Sequence, residues 1–244
     1  MANTMTDATA GTFRLGDVFT KAFTIFGRRF VPFIILTVIA EVPEYLTLIT
    51  LETSDVGPLS SWRMAAVVVN LICSPIATGA VVYGVIQELR GRTFSLGESL
   101  QVALQRLLPM IGLAICVGLL TGLATVLLIV PGLMVACRYY VAMPACLAEQ
   151  TGVFDSMSRS AFLTKGYRWQ VLGMFLLILI GGVVIGATFG LVFAATGKVG
   201  LQIATQAVAA VVAAFNGVLV AVFYYQLRVT KEGVDIDRIA SVFD

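Results

Sequence analysis

The chain has 244 residues, of which 59% are apolar and only 12% charged, about half the charge of a typical soluble domain, so water is not its main solvent. A net charge of +2 gives no sign of a nucleic-acid partner, and the useful signal lies in where the charges sit. With no histidine in the chain, the commonest metal ligand and the usual general base are missing, so no catalytic residue, metal site or cofactor is expected.

Residues 1–11 are small and polar and lack the basic segment and apolar core of a signal peptide, so they read as a retained, disordered tail. Next, Leu15, Phe19, Ala22, Phe23, Phe26 and Phe30 recur at helical spacing. They predict an amphipathic helix with one apolar face, either lying on the membrane surface or extending the first span inward. Six stretches long enough to cross a bilayer core of about 30 Å follow at residues 30–51, 64–87, 107–130, 132–147, 171–195 and 200–227. The expected fold is therefore all-α and polytopic, a single transmembrane domain over 12–228 with a cytoplasmic tail at 229–244.

The first span carries Glu41 and Glu44, three apart on one helical face, with Pro43 between them. The second holds Asn70 and Ser74 ahead of Pro75, a polar and kinkable patch. Before the third span, Leu96, Leu100, Ala103, Leu104 and Leu107 predict a second amphipathic helix, opened by Ser95 and Glu98 as a capping box. The fourth span is short: Pro131 and Gly132 predict a hairpin turn at its start, Pro144 predicts a kink, and Arg138 stands between them. Whether it crosses fully is open on length alone. Small-residue ridges run through Gly118 and Gly122 in the third span and Gly182, Gly186 and Gly190 in the fifth. Ala209, Ala213 and Gly217 form another in the sixth. Such ridges let backbones approach, within one chain or between copies in a homo-oligomer. The four cysteines all lie in apolar stretches and read as small core residues.

Thirteen of the sixteen lysines and arginines fall on one face if the amino terminus is inside, which places both termini in the cytoplasm by the positive-inside rule. In that frame Glu41, Glu44 and Arg138 come to comparable depth. Two readings stay open there: an ion pair fixing the first span against the fourth, or a proton or substrate path.

The run TFRLGD from Thr12 to Asp17 recurs as TFSLGE from Thr93 to Glu98. A third, fainter copy aligns Ala22, Phe23, Gly27, Arg29 and Phe30 with Ala161, Phe162, Gly166, Arg168 and Trp169. The chain thus reads as three repeats of cytoplasmic interfacial helix plus transmembrane hairpin, at about 12–89, 93–149 and 152–228.

Pro131, Gly132, Arg138, Pro144, Glu149, Ser160, Thr164 and Gly166, with Leu227, Arg228 and the run Lys231 to Gly233, resemble a family of bacterial and archaeal multi-pass membrane proteins. That family is related to the YciC type and to the membrane domain of glycerophosphodiester phosphodiesterases. The resemblance implies architecture and a place in the bacterial inner membrane, not catalysis, because no barrel-sized soluble segment accompanies the spans. It also implies that Glu149, Ser160, Thr164 and Gly166 form a cytoplasmic motif, with Glu149 serving the amino end of a helix over 156–165.

Three functions compete. A non-enzymatic scaffold or accessory subunit, in contact with membrane lipids and with a larger protein complex or copies of itself, fits the absence of catalytic groups. A transporter or lipid-handling permease would use Glu41, Glu44, Arg138 and Asn70, though its repeats would share one orientation rather than an inverted one. A lipid-acting enzyme rests on Glu41 and Glu44 alone and ranks last.

Overall fold

The computed structural model describes residues 13–39, 42, 61–92, 95–193 and 197–233. These are helical almost throughout, and no strand occurs among the described residues. Helix α1 (Leu15–Arg28) meets α2 (Phe30–Ile39) at a bend of 83°, where Arg29 leaves helical geometry at φ −124°, ψ 33°. Val18, Ala22, Ile25 and Phe26, spaced as one helical face, are buried, and Phe23 and Phe26 ring-pack on Phe215.

Helix α3 (Ser61–Leu89) is followed by α4 (Leu96–Gln105), capped as its sequence predicts, with Ser95 Oγ accepting from the Glu98 N–H at 3.0 Å. The Glu98 carboxylate instead accepts from the Tyr83 hydroxyl, tying α4 to α3. Ser99 and Ala103 bury the facing side of α4. Helix α5 (Leu107–Leu127) starts after a break at Arg106.

The turn into α6 (Ile129–Tyr139) is a single extended residue, Leu128 at φ −161°, ψ 141°. It comes three residues before the Pro131–Gly132 position where a hairpin turn is expected. Pro131 falls in the first turn of α6, where a missing N–H costs nothing. Gly132 serves contact: a Cβ there would meet the Thr125 Cα at 2.8 Å. Two residues, Tyr140 and Val141, separate α6 from α7 (Ala142–Ala148). The expected effect of Pro144 appears here, because its ring clashes with the carbonyl four residues back and pushes the break to Tyr140.

Helix α8 (Val153–Thr164) joins α9 (Arg168–Phe193) through a left-handed Gly166 at φ +93°. Helix α10 (Gly197–Glu232), 36 residues long, closes the fold.

Among the described residues, five helices are long and apolar enough to cross a membrane: Val67–Leu89, Leu107–Leu127, Ile129–Ala148, Arg168–Phe193 and Ala204–Glu232. The bent α1–α2 pair makes a sixth if counted as one span. The first span expected from the sequence reaches residue 51, so Glu41 and Glu44 lie outside the described residues.

The core is gathered at one end of the bundle. The second half of α10, from Val218 to Leu227, packs on Ala80 to Val85 of α3, on α7 and α8, and on Phe13. Away from it, α5 and α9 present their apolar side chains outward, Val126 at 85% and Leu191 at 80% exposure. Such continuous apolar surface belongs in hydrocarbon, not water.

Candidate functional site

The polar residues of the fold converge where α7, α8 and α10 meet. Glu149, the residue after α7, accepts from Arg159 Nε of α8 at 2.8 Å to each carboxylate oxygen and from the Tyr224 hydroxyl of α10 at 2.7 Å. The same guanidinium reaches through Nη2 to Glu232 at the end of α10, and Glu232 also takes Arg228 Nε at 3.1 Å, one helical turn away. The Glu149 and Arg159 side chains are only 15% and 23% exposed. Burial alone would lower the Arg159 pKa, but Glu149 and Glu232 outweigh it and hold the guanidinium above its usual value. The carboxylate of Glu149 thus serves a guanidinium and a phenol, rather than the amino end of α8 as the resemblance implies.

Two hydroxyls of α8 face the other way. Because α6 ends at Tyr139, a terminal carbonyl needs a partner from outside the helix. Arg138 O receives Ser160 Oγ at 3.0 Å and Thr164 Oγ1 at 3.1 Å, both from fully buried side chains. The Arg138 side chain itself is exposed, its guanidinium 5.6 Å from the centre of the Tyr139 ring. In the connection between α7 and α8, Gln150 adopts φ +53°, unusual for a side-chain-bearing residue. Arg106 holds it there, donating to Gln150 O at 3.0 Å and Oε1 at 2.8 Å.

Of the residues singled out from sequence, Glu149, Ser160, Thr164 and Gly166 therefore surround one helix, α8. Asn70 is half-buried in α3. At Gly118, Gly122, Gly186 and Gly190 an added Cβ meets nothing within 4 Å, and at Gly182 it meets only Val212 at 4.0 Å. Close approach occurs elsewhere, at Gly79 against Met110, Gly132 against Thr125 and Gly217 against Val81. Sequence reasoning left Arg159 and Tyr224 out of the site, and it noted Arg228 and Glu232 only as part of the family resemblance, without a role. The four-residue spacing of Arg228 and Glu232 on a helix end was the available signal. Among the described residues no group of three His, Cys, Asp or Glu side chains could hold a metal ion.

An all-helical bundle with span-length apolar helices, lipid-exposed flanks and its ion pairs gathered at one end is an integral, multi-pass membrane protein. Residues 115–231 match the model of a family described as the membrane domain of glycerophosphoryl diester phosphodiesterase. The match runs from within α5 through α10 and contains Glu149, Arg159, Ser160, Thr164, Tyr224 and Arg228, stopping one residue before Glu232. No curated protein and no solved structure matches the chain.

Proposed function

We propose that the chain is a non-enzymatic scaffold or accessory subunit of a membrane assembly, set in the cytoplasmic membrane of a bacterium or archaeon with both termini inside. Its three helix-plus-hairpin units present the outward faces of α5 and α9 to a partner. The observation that carries this reading is the Glu149–Arg159–Glu232 network. Its carboxylates are committed to guanidinia and to Tyr224, an arrangement that fixes helices against one another. Among the described residues, a cavity between the outer halves of α9 and α10 is lined by apolar residues such as Phe189, Ala204 and Val208.

The test is cross-linking in intact membranes followed by affinity purification of the full chain. A protein present in stoichiometric amount, retained by the wild type and released by Gly186→Phe with the chain still folded, is the expected outcome. A chain that purifies alone and supports substrate uptake in proteoliposomes, abolished by Glu41→Gln, counts against the scaffold and for the permease.

A further inference from the structure

Arg138 is exposed, yet it stands midway along a span. In Ile129–Ala148 it comes nine residues after the first and ten before the last, about 14 Å of helix either way. Met134, one turn back on the same face of α6, is an exposed apolar side chain, so this face meets lipid. A guanidinium exposed at such depth is costly unless water or lipid headgroups are drawn inward to it.

Helix α8 extends the polar surface at the same level. Ser160 and Thr164 reach the Arg138 carbonyl at 3.0 and 3.1 Å, and at the other end Val153 packs against α5, its Cγ2 3.0 Å from where a Cβ on Gly112 would stand. Gly112 is five residues into the span Leu107–Leu127, about 8 Å of helix. Both ends of α8 therefore lie inward of the level at which α5 begins. Away from the bundle, the helix and its junction with α9 expose Phe154, Lys165 and Trp169. Lys165 follows Thr164 directly, so the two exposed cations, Arg138 and Lys165, rise from adjoining backbone. Three residues on, Arg168 Nε is buried without a hydrogen-bond partner among the described residues. The one acid of α8, Asp155, is ten residues behind Lys165, about 15 Å along the helix.

We infer that Arg138 and Lys165 form a notch in the lipid-facing wall that takes the phosphate of a phospholipid from the leaflet on the α8 side, held below the plane of its neighbours. Guanidinium and ammonium groups donate charge-assisted hydrogen bonds to phosphate oxygens, and the acyl chains lie along the exposed apolar face of α6. The phosphate is common to zwitterionic and anionic phospholipids, so the notch reads the phosphodiester and not the headgroup beyond it. A headgroup held at this depth thins the bilayer locally. The site holds whether or not the chain has a protein partner.

Native mass spectrometry of the full chain, exchanged into micelles doped with phosphatidylcholine or with diacylglycerol of the same chains, tests the chemistry. The wild type should retain phosphatidylcholine over diacylglycerol. Arg138→Gln and Lys165→Gln should each lower that retention about fivefold, the effect of one basic residue on a phosphate headgroup. Arg92→Gln, which removes an exposed cation between α3 and α4, should leave it unchanged. Equal losses from all three variants overturn the notch in favour of diffuse surface charge. Equal retention of diacylglycerol, or displacement of phosphatidylcholine by millimolar inorganic phosphate, overturns the lipid assignment. A bimane on Met134→Cys, in nanodiscs and a background without native cysteines, tests the depth. Phospholipid spin-labelled at the headgroup should quench it more than phospholipid labelled near the chain end, and adding Arg138→Gln should reverse that order. Stronger quenching by the chain label in both backgrounds overturns the inward position of the phosphate.

Discussion

Arg159 joins two carboxylates that arrive from different elements, Glu149 from the end of α7 and Glu232 from the end of α10. Its removal leaves two acids facing one another in a site mostly closed to water, which costs more than the lost pair alone. Arg159→Gln should lower stability by about 2 kcal/mol, below the full cost of a buried pair because the side chains keep some solvent contact. Arg159→Lys should recover only part of this, since a point charge cannot bridge both carboxylates as a planar guanidinium does. Thermal unfolding of the detergent-solubilised chain measures both, and an Arg159→Gln variant that melts with the wild type removes the network from the account of stability. Much of this site was legible beforehand. Glu149, Ser160 and Thr164 stood out through their resemblance to a family pattern. Their roles were not visible, because each partner is a long-range contact: a carbonyl exposed by the break after Tyr139, and a guanidinium ten residues away on the next helix. Arg159 itself looked like one more cytoplasmic cation.

At the scale of elements, the α5–α6 hairpin depends on one missing side chain. A Cβ at Gly132 would stand 2.8 Å from the Thr125 backbone, and backbone cannot swing aside as a flexible side chain can. Gly132→Ala must therefore separate the two helices and should cost about 3 kcal/mol, the upper end for overpacking. Gly186→Ala meets open space and should leave the isolated chain unchanged or raise its stability by about 0.5–1 kcal/mol through helix propensity. Denaturant titration of the two variants side by side decides the matter, and equal stabilities would remove the contact from the hairpin's design. Glycine spacing along a helix shows where backbones can approach, not where they do. The regular ridges of α5 and α9 face outward, while the tight contacts fall at Gly79, Gly132 and Gly217, and of these only Gly217 belonged to a recognisable ridge. Helix types and most span positions were readable, since each rests on a long run of apolar residues. The turn at Leu128 was not. It contains no glycine, proline or polar residue, and its position follows from how α5 and α6 pack.

At the scale of the molecule, basic residues far apart in sequence are tied together near one end of the bundle. Arg29 pairs with Glu88, Arg106 with Gln150, Arg159 with Glu232, and Lys231 donates to the Phe162 carbonyl. From Arg106 to the turn at Leu128, α5 runs 21 residues, about 31 Å of helix, close to the hydrocarbon thickness of about 30 Å. The turn therefore sits at the opposite boundary. Residues 126–130 there are all apolar and mostly exposed. Moving that cluster into water would cost on the order of 1.5 kcal/mol for each side chain, so the tip should stay within the lipid. Lys198, the second residue of α10, stands at the same far side, and the exposed Arg92 follows α3 at the near one. Single cysteines at the three positions, in a background without native cysteines, turn this into a measurement. Arg92→Cys should react with a membrane-impermeant maleimide only from the cytoplasmic side and Lys198→Cys only from the outer side. Leu128→Cys should resist that reagent from both sides and yield to a lipid-soluble one. Labelling of Arg92→Cys and Lys198→Cys from one side would overturn the orientation. Rapid labelling of Leu128→Cys from outside would bring the turn into water, leaving the orientation intact and the depth of the hairpin wrong.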